Sequence, residues 1–174
     1  MEIGEIINFS CPRWNQLPDK PIFNKEAVEY INETLAPILD QDSKLTTTKV
    51  QNYVKWGLIP KEEGRKYSKV SISHLIVISI YKQAINLSNV KKGVDLLLKH
   101  FPLEVAYDNF GQAVDNAIRN TFYPIIKKDV EISNKELACE EIGLYAVANS
   151  FAHKLLGNII IDSNGIENLG VNNE

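Results

Sequence analysis

One stretch restricts what this chain can fold into more than any other: Leu45 to Tyr67, which reads LTTTKVQNYVKWGLIPKEEGRKY. Thr46 or Thr47 can accept from the free N–H groups of a first helical turn, so a short helix is expected to start there. Gly57 tolerates the left-handed backbone that ends helices, and Pro60 forbids continuation. On a helical wheel Val50, Tyr53 and Val54 share one side, while Thr48, Gln51, Asn52 and Lys55 share the other. KEEG followed by Arg65-Lys66-Tyr67 reads as a tight turn with a basic flank. A short helix with a polar face, followed by a basic hairpin, is what a winged helix-turn-helix presents to DNA.

Charge supports that placement. The formal net charge is −3, yet residues 44–69 carry seven basic and two acidic side chains. Residues 1–43 carry three basic and eight acidic, and residues 101–174 five basic and eleven acidic. Positive charge is therefore gathered in the middle of the chain, over the helix and its basic flank, as a nucleic-acid footprint requires. Cys11 and Cys139 form no CxxC pair, which fits free thiols in a reducing cytosol. The start MEIGEIINFS has no basic leader segment, and the run Leu75 to Ile80 is far too short for a bilayer, which needs about 20 residues. A cytoplasmic protein with no membrane partner is expected.

The remainder of the chain reads as helical. Pro12, Pro18 and Pro21 make residues 1–22 an extended arm, pinned by Phe9 and Trp14. Asn24 is a candidate cap for a helix from Lys25 to about Leu39, bent near Pro37. Ser68 is expected to cap a buried helix carrying Leu75, Ile76, Ile78 and Ile80, with Tyr81 and Lys82 marking its exit to solvent. Ser88 is expected to cap the next, which Pro102 ends. Leu103 to about Tyr123 is a further helix, kinked or ended by Pro124. Ser133 and Glu136 have capping-box spacing before a last helix carrying Leu137, Leu144, Tyr145, Ala148, Phe151 and Leu155. The expected division is an arm (1–22), a DNA-binding unit (23–101), a helical dimerisation or sensing unit (102–161) and a flexible tail (162–174).

The central stretch resembles the winged helix-turn-helix of MerR-type transcription regulators. Val50-Gln51-Asn52-Tyr53 and Gly57-Leu58-Ile59-Pro60 stand where that family ends its recognition helix, and Gly64-Arg65-Lys66-Tyr67 where it has its wing. Gln51 replaces the usual Arg, Asn52 the usual first Tyr, and the wing is one residue shorter. The connection from Leu39 to Thr46 is also longer than a tight helix-turn-helix turn. LTTTKVQNYVKWGLIP further resembles a bacterial family of YkrK-like proteins over most of the chain. The MerR resemblance implies an all-α fold with a small wing hairpin, followed by a C-terminal helical domain, and a sequence-specific DNA-binding regulator of transcription.

On that reading the helix over 46–56 enters the major groove of double-stranded DNA and the wing over 60–67 meets phosphates. The contact residues are Thr48, Lys49, Gln51, Asn52, Lys55, Arg65, Lys66 and Tyr67; Trp56 is expected to pack between the helix end and the wing. Asn and Gln can bond adenine bidentately, and lysine reads guanine or neutralises phosphate. A homodimer is expected, with a seam along Leu144, Ala148, Phe151 and Leu155, because half-site readers need twofold symmetry. Two other readings compete: a winged-helix adaptor that binds proteins rather than DNA, and a protein binding a small-molecule effector between its C-terminal helices. Catalysis is not expected. His74, His100 and His153 lie far apart, Glu136, Glu140 and Glu141 lack a matching ligand helix, and neither a phosphate-cradling glycine loop nor a nucleophile elbow is present. No metal or cofactor is expected.

Overall fold

The computed structural model describes residues 3–60, 62, 64–126 and 137–169. These residues form seven α-helices and one two-stranded sheet: α1 (Ile3–Ile7), β1 (Ile22–Phe23), α2 (Asn24–Thr34), α3 (Thr47–Lys55), β2 (Lys66–Tyr67), α4 (Lys69–Tyr81), α5 (Leu87–Leu97), α6 (Leu103–Ile126) and α7 (Ile142–Asp162). The chain is thus mostly helical with one small antiparallel sheet, in which Ile22 faces Tyr67 and Phe23 faces Lys66. The basic strand therefore pairs with the end of the N-terminal arm, across more than forty residues, and not with a strand of its own hairpin. The reason is local: β1 runs straight into α2, and β2 straight into α4, so the sheet ties together the starts of two helices.

α4 is the central element. Ile72, Leu75, Ile76 and Ile80 are fully buried, and the serines among them are buried too. A helix apolar on all sides must be enclosed. Two of these serines are satisfied inside the helix, the Ser73 hydroxyl donating to the Val70 carbonyl at 2.8 Å and that of Ser79 to Leu75 at 2.7 Å, while Ser71 donates to Glu62. Tyr81 does not exit to solvent as expected. It is buried, its hydroxyl donating to the Leu144 carbonyl of α7 at 2.9 Å and its ring lying edge-on to Phe110.

The arm is not extended throughout. α1 precedes the prolines and buries Ile6, and residues Trp14–Gln16 make a 3-10 turn. Asp115 of α6 fastens the arm, accepting from the Cys11 N–H at 2.8 Å and from Arg13 Nη2 at 2.6 Å. Gly111 makes that approach feasible, since a Cβ there would sit 2.5 Å from Arg13 Nη1. Trp14 stacks edge-on against Tyr107, so it does pin the arm. Buried residues of the arm, of α2 to α5 and of α6 and α7 belong to one hydrophobic cluster, so residues 102–161 share their core with residues 23–101.

Two caps differ from expectation. α2 begins at Asn24 itself, with the Glu26 carboxylate accepting from the Phe23 N–H at 2.7 Å. Asn86 rather than Ser88 caps α5, accepting from the Asn89 N–H at 2.9 Å. The Ser133–Glu136 box lies outside the described residues; α7 starts at Ile142 after a 3-10 turn.

The proposed dimer seam needs correcting. Ala148, Phe151 and Leu155 are 0%, 1% and 4% exposed, and Leu144 is half-buried beside Tyr81. α6 and α4 of the same chain cover this stripe. Ala148, Phe151 and Leu155 are thus interior to one chain, and Leu144 is partly covered.

Candidate nucleic-acid interface

α3 forms where its signals put it. The Thr46 hydroxyl accepts from the Lys49 N–H at 3.1 Å, and Gly57 adopts φ +68°. Leu58 N–H then bonds the Tyr53 carbonyl at 2.9 Å and Gly57 N–H that of Val54 at 3.0 Å. That pair of bonds is the Schellman ending, which satisfies carbonyls the helix leaves open. Val50 and Tyr53 are buried, whereas Thr48, Gln51 and Lys55 are exposed and Asn52 is half-exposed. Burial pushes the Tyr53 hydroxyl pKa upward, so it stays protonated.

The connection from α2 to α3, though long, is fastened at several points. Asn32 both accepts from and donates to the Leu45 backbone, at 2.8 and 3.0 Å. Lys49 Nζ donates to the carbonyls of Asp42 and Lys44, each at 2.8 Å, and Lys82 Nζ to that of Ser43 at 2.8 Å. Burial, helped by Lys49, pushes the Lys82 ammonium down to about 8, against the pull of Asp40. Lys49 is therefore committed to holding the loop, and it separates from the other expected contact residues. Its sequence position on the wheel could not reveal this, because the acceptors lie in the preceding loop.

The turn before β2 sorts its charges. Glu62 folds inward to the start of α4, where its carboxylate accepts from the Ser68 N–H at 3.0 Å and from the Ser68 and Ser71 hydroxyls. Burial would raise its pKa, but these hydrogen bonds outweigh burial and hold the carboxyl below its ordinary range. Arg65 and Lys66 remain exposed. Lys66 Nζ rests 4.8 Å from the centre of the Phe23 ring across the sheet. Asn24, next along the chain, donates to the Thr47 carbonyl at 3.2 Å, so the sheet is moored beside the start of α3. Tyr67 is half-buried, its hydroxyl pKa raised by burial and then by the charge of Glu62.

Two aromatic residues join this surface without having been expected there. Trp56 is 59% exposed and touches only the Tyr53 ring among aromatic neighbours, and Phe23 is 49% exposed. Trp56 is thus exposed and not enclosed between the helix end and the described residues of the wing. Among the described residues no cluster of His, Cys, Asp and Glu could hold a metal ion, and no helix is long and apolar enough to cross a membrane.

Comparison with known proteins gives one result. A family model described as a domain of unknown function, DUF1836, matches residues 12–110, more than half of the chain. No curated protein and no solved structure matches it.

Proposed function

We propose that this chain, which belongs to the DUF1836 family, is a sequence-specific DNA-binding regulator of transcription built like the MerR-type winged helix-turn-helix. The observation that carries the reading is the sorting of charge around α3 among the described residues: Lys55, Arg65 and Lys66 stay exposed while one acid of the turn, Glu62, is bonded inward. α3 has nine residues, and a helix with its side chains is about 10–12 Å across, a width that a major groove of about 12 Å admits. Gln51 and Asn52 then reach base edges, Lys55 and Thr48 flank them, and Arg65 and Lys66 grip phosphates from β2. The protein acts in the cytoplasm as a homodimer, so that two copies meet two half-sites. The second copy docks on exposed surface and not on the Ala148–Leu155 stripe.

Mobility shifts over a random duplex pool test the proposal. With Lys49 committed to the loop, three of the four expected cations remain, Lys55, Arg65 and Lys66. Log affinity should fall with log salt at a slope near −3, since each phosphate contact contributes about −0.9. Absence of binding at low salt would remove the DNA reading. The adaptor would then take its place, with exposed Trp56 and Phe23 as the aromatic anchors such a surface needs.

A pair of substitutions separates reading from gripping. Asn52→Ala should cost roughly 1–3 kcal/mol on the preferred site and relax its sequence requirement. Lys66→Ala should weaken all duplexes alike and flatten the salt slope by about one contact. Equal effects of the two across all sequences would mean that the polar face of α3 does not read bases.

A further inference from the structure

A pocket of about 440 Å³ opens between α4, α5, α6 and the start of α7. That size falls in the range of small-molecule sites, roughly 300–1,000 Å³. Its wall is mostly apolar, with Val77, Val94, Leu97, Leu103 and Phe110 from three helices. Tyr81 also lines it, but the Tyr81 hydroxyl proton is already given to the Leu144 carbonyl.

His74 is one of the polar groups that line the pocket, with Asn89, His100 and Tyr107. It stands on α4, half-buried, with Nδ1 2.8 Å from the Val70 carbonyl. A carbonyl only accepts, so Nδ1 carries the proton and Nε2 of the neutral ring is an acceptor. Burial, aided by Lys91, lowers the His74 pKa despite the Val70 bond and Asp95, which favours that neutral ring. Nε2 has no partner among the described residues. At the rim Lys92 and Glu140 carry opposite charges, so the mouth does not select for either sign of ligand.

We propose that this pocket binds a neutral, largely apolar small molecule of the phenol class, whose hydroxyl donates to His74 Nε2 while its ring is enclosed by α4, α5 and α6. The proposal goes beyond the DNA reading and does not rest on it, because its test contains no DNA. A second copy of the chain is the rival occupant, since Leu96 and Leu98 of the α5 segment are 57% and 36% exposed nearby.

The experiment is calorimetric titration of the full chain with 2-naphthol and with naphthalene, which lacks the hydroxyl. One 2-naphthol should bind per chain, about three- to tenfold tighter than naphthalene, the effect of one net hydrogen bond. His74→Phe should keep naphthalene binding and bring the two within about twofold. Gly143→Phe should weaken both at least about tenfold by filling the mouth; a Cβ there meets no atom within 4 Å. The proposal is overturned if neither compound binds up to its solubility limit, if the wild type binds both equally, or if His74→Phe keeps the preference. It is also overturned if sedimentation shows a dimer that excludes 2-naphthol. Should a variant fail to melt cooperatively, the wild-type ratio still decides.

Discussion

A Phe151→Asp chain is expected to unfold, not to dissociate into folded halves. Phe151 is 1% exposed at the middle of α7, between Ala148 and Leu155, and belongs to the core cluster that α6 and α4 share. Removing a buried phenyl group costs about 3–5 kcal/mol from lost burial and the cavity left behind. A carboxylate in the same space adds a desolvation cost, or takes up a proton to avoid it. Against a total stability of roughly 5–15 kcal/mol, the sum is enough to abolish the fold. Circular dichroism should show loss of the cooperative melt, and Phe151→Leu should melt cooperatively at a modestly lower temperature. A Phe151→Asp protein that melts like the wild type and only halves its sedimenting mass would return the stripe to a dimer seam.

That expectation shows where sequence periodicity ends. Leu144, Ala148, Phe151 and Leu155 recur at helical spacing, and spacing says that a face is buried without saying what buries it. α6 supplies the cover, and its own stripe through Phe110, Val114 and Phe122 carries the same ambiguity. α3 was legible because its signals act within a few residues: a threonine at the start, a glycine at the end, a proline beyond. α4 was legible for the opposite reason, being apolar on every side. The cap of α5 differs from expectation because two polar residues, Asn86 and Ser88, stand close together. Backbone conformation then decides which one caps, and that depends on what precedes the helix. The pairing of Phe23 with Lys66 had no local sign at all, since both strands are two residues long. The same holds for Lys49, whose ammonium is claimed by carbonyls of a loop that the wheel does not contain. Exposure of Trp56 is likewise not a consequence of residue type. The pocket beside His74 draws its wall from four helices, so no single stretch announces it.

Asp115→Ala should be the most damaging change outside the apolar core, and it should act at a distance. Asp115 is 2% exposed and holds the Cys11 N–H, Arg13 Nη2 and, at 3.3 Å, the Ser10 hydroxyl. Removing one partner of a buried ion pair costs about 3–5 kcal/mol, since it leaves the other charge uncompensated. The Arg13 side chain is 28% exposed and can recover some hydration, so the lower end is expected, about 3 kcal/mol by urea denaturation. The loss should be concentrated in the arm, which then loses its link to α6 through Asp115. Cys11 reports on this directly. It is buried, and burial followed by the charge of Asp115 keeps its thiol pKa far above the ordinary value, while Cys139 is exposed and serves as the internal standard. A thiol reagent should therefore label only Cys139 in the wild type and both cysteines in Asp115→Ala. The arm also supplies β1, the partner of Lys66, so release of the arm should loosen the basic strand and weaken duplex binding although Asp115 is on α6, away from the sheet. If Cys11 stays protected and the urea midpoint does not move, the arm is held without Asp115, by Phe9, Trp14 and Leu17 and by the Trp14 N–H bond to Asp108, and the ion pair is dispensable.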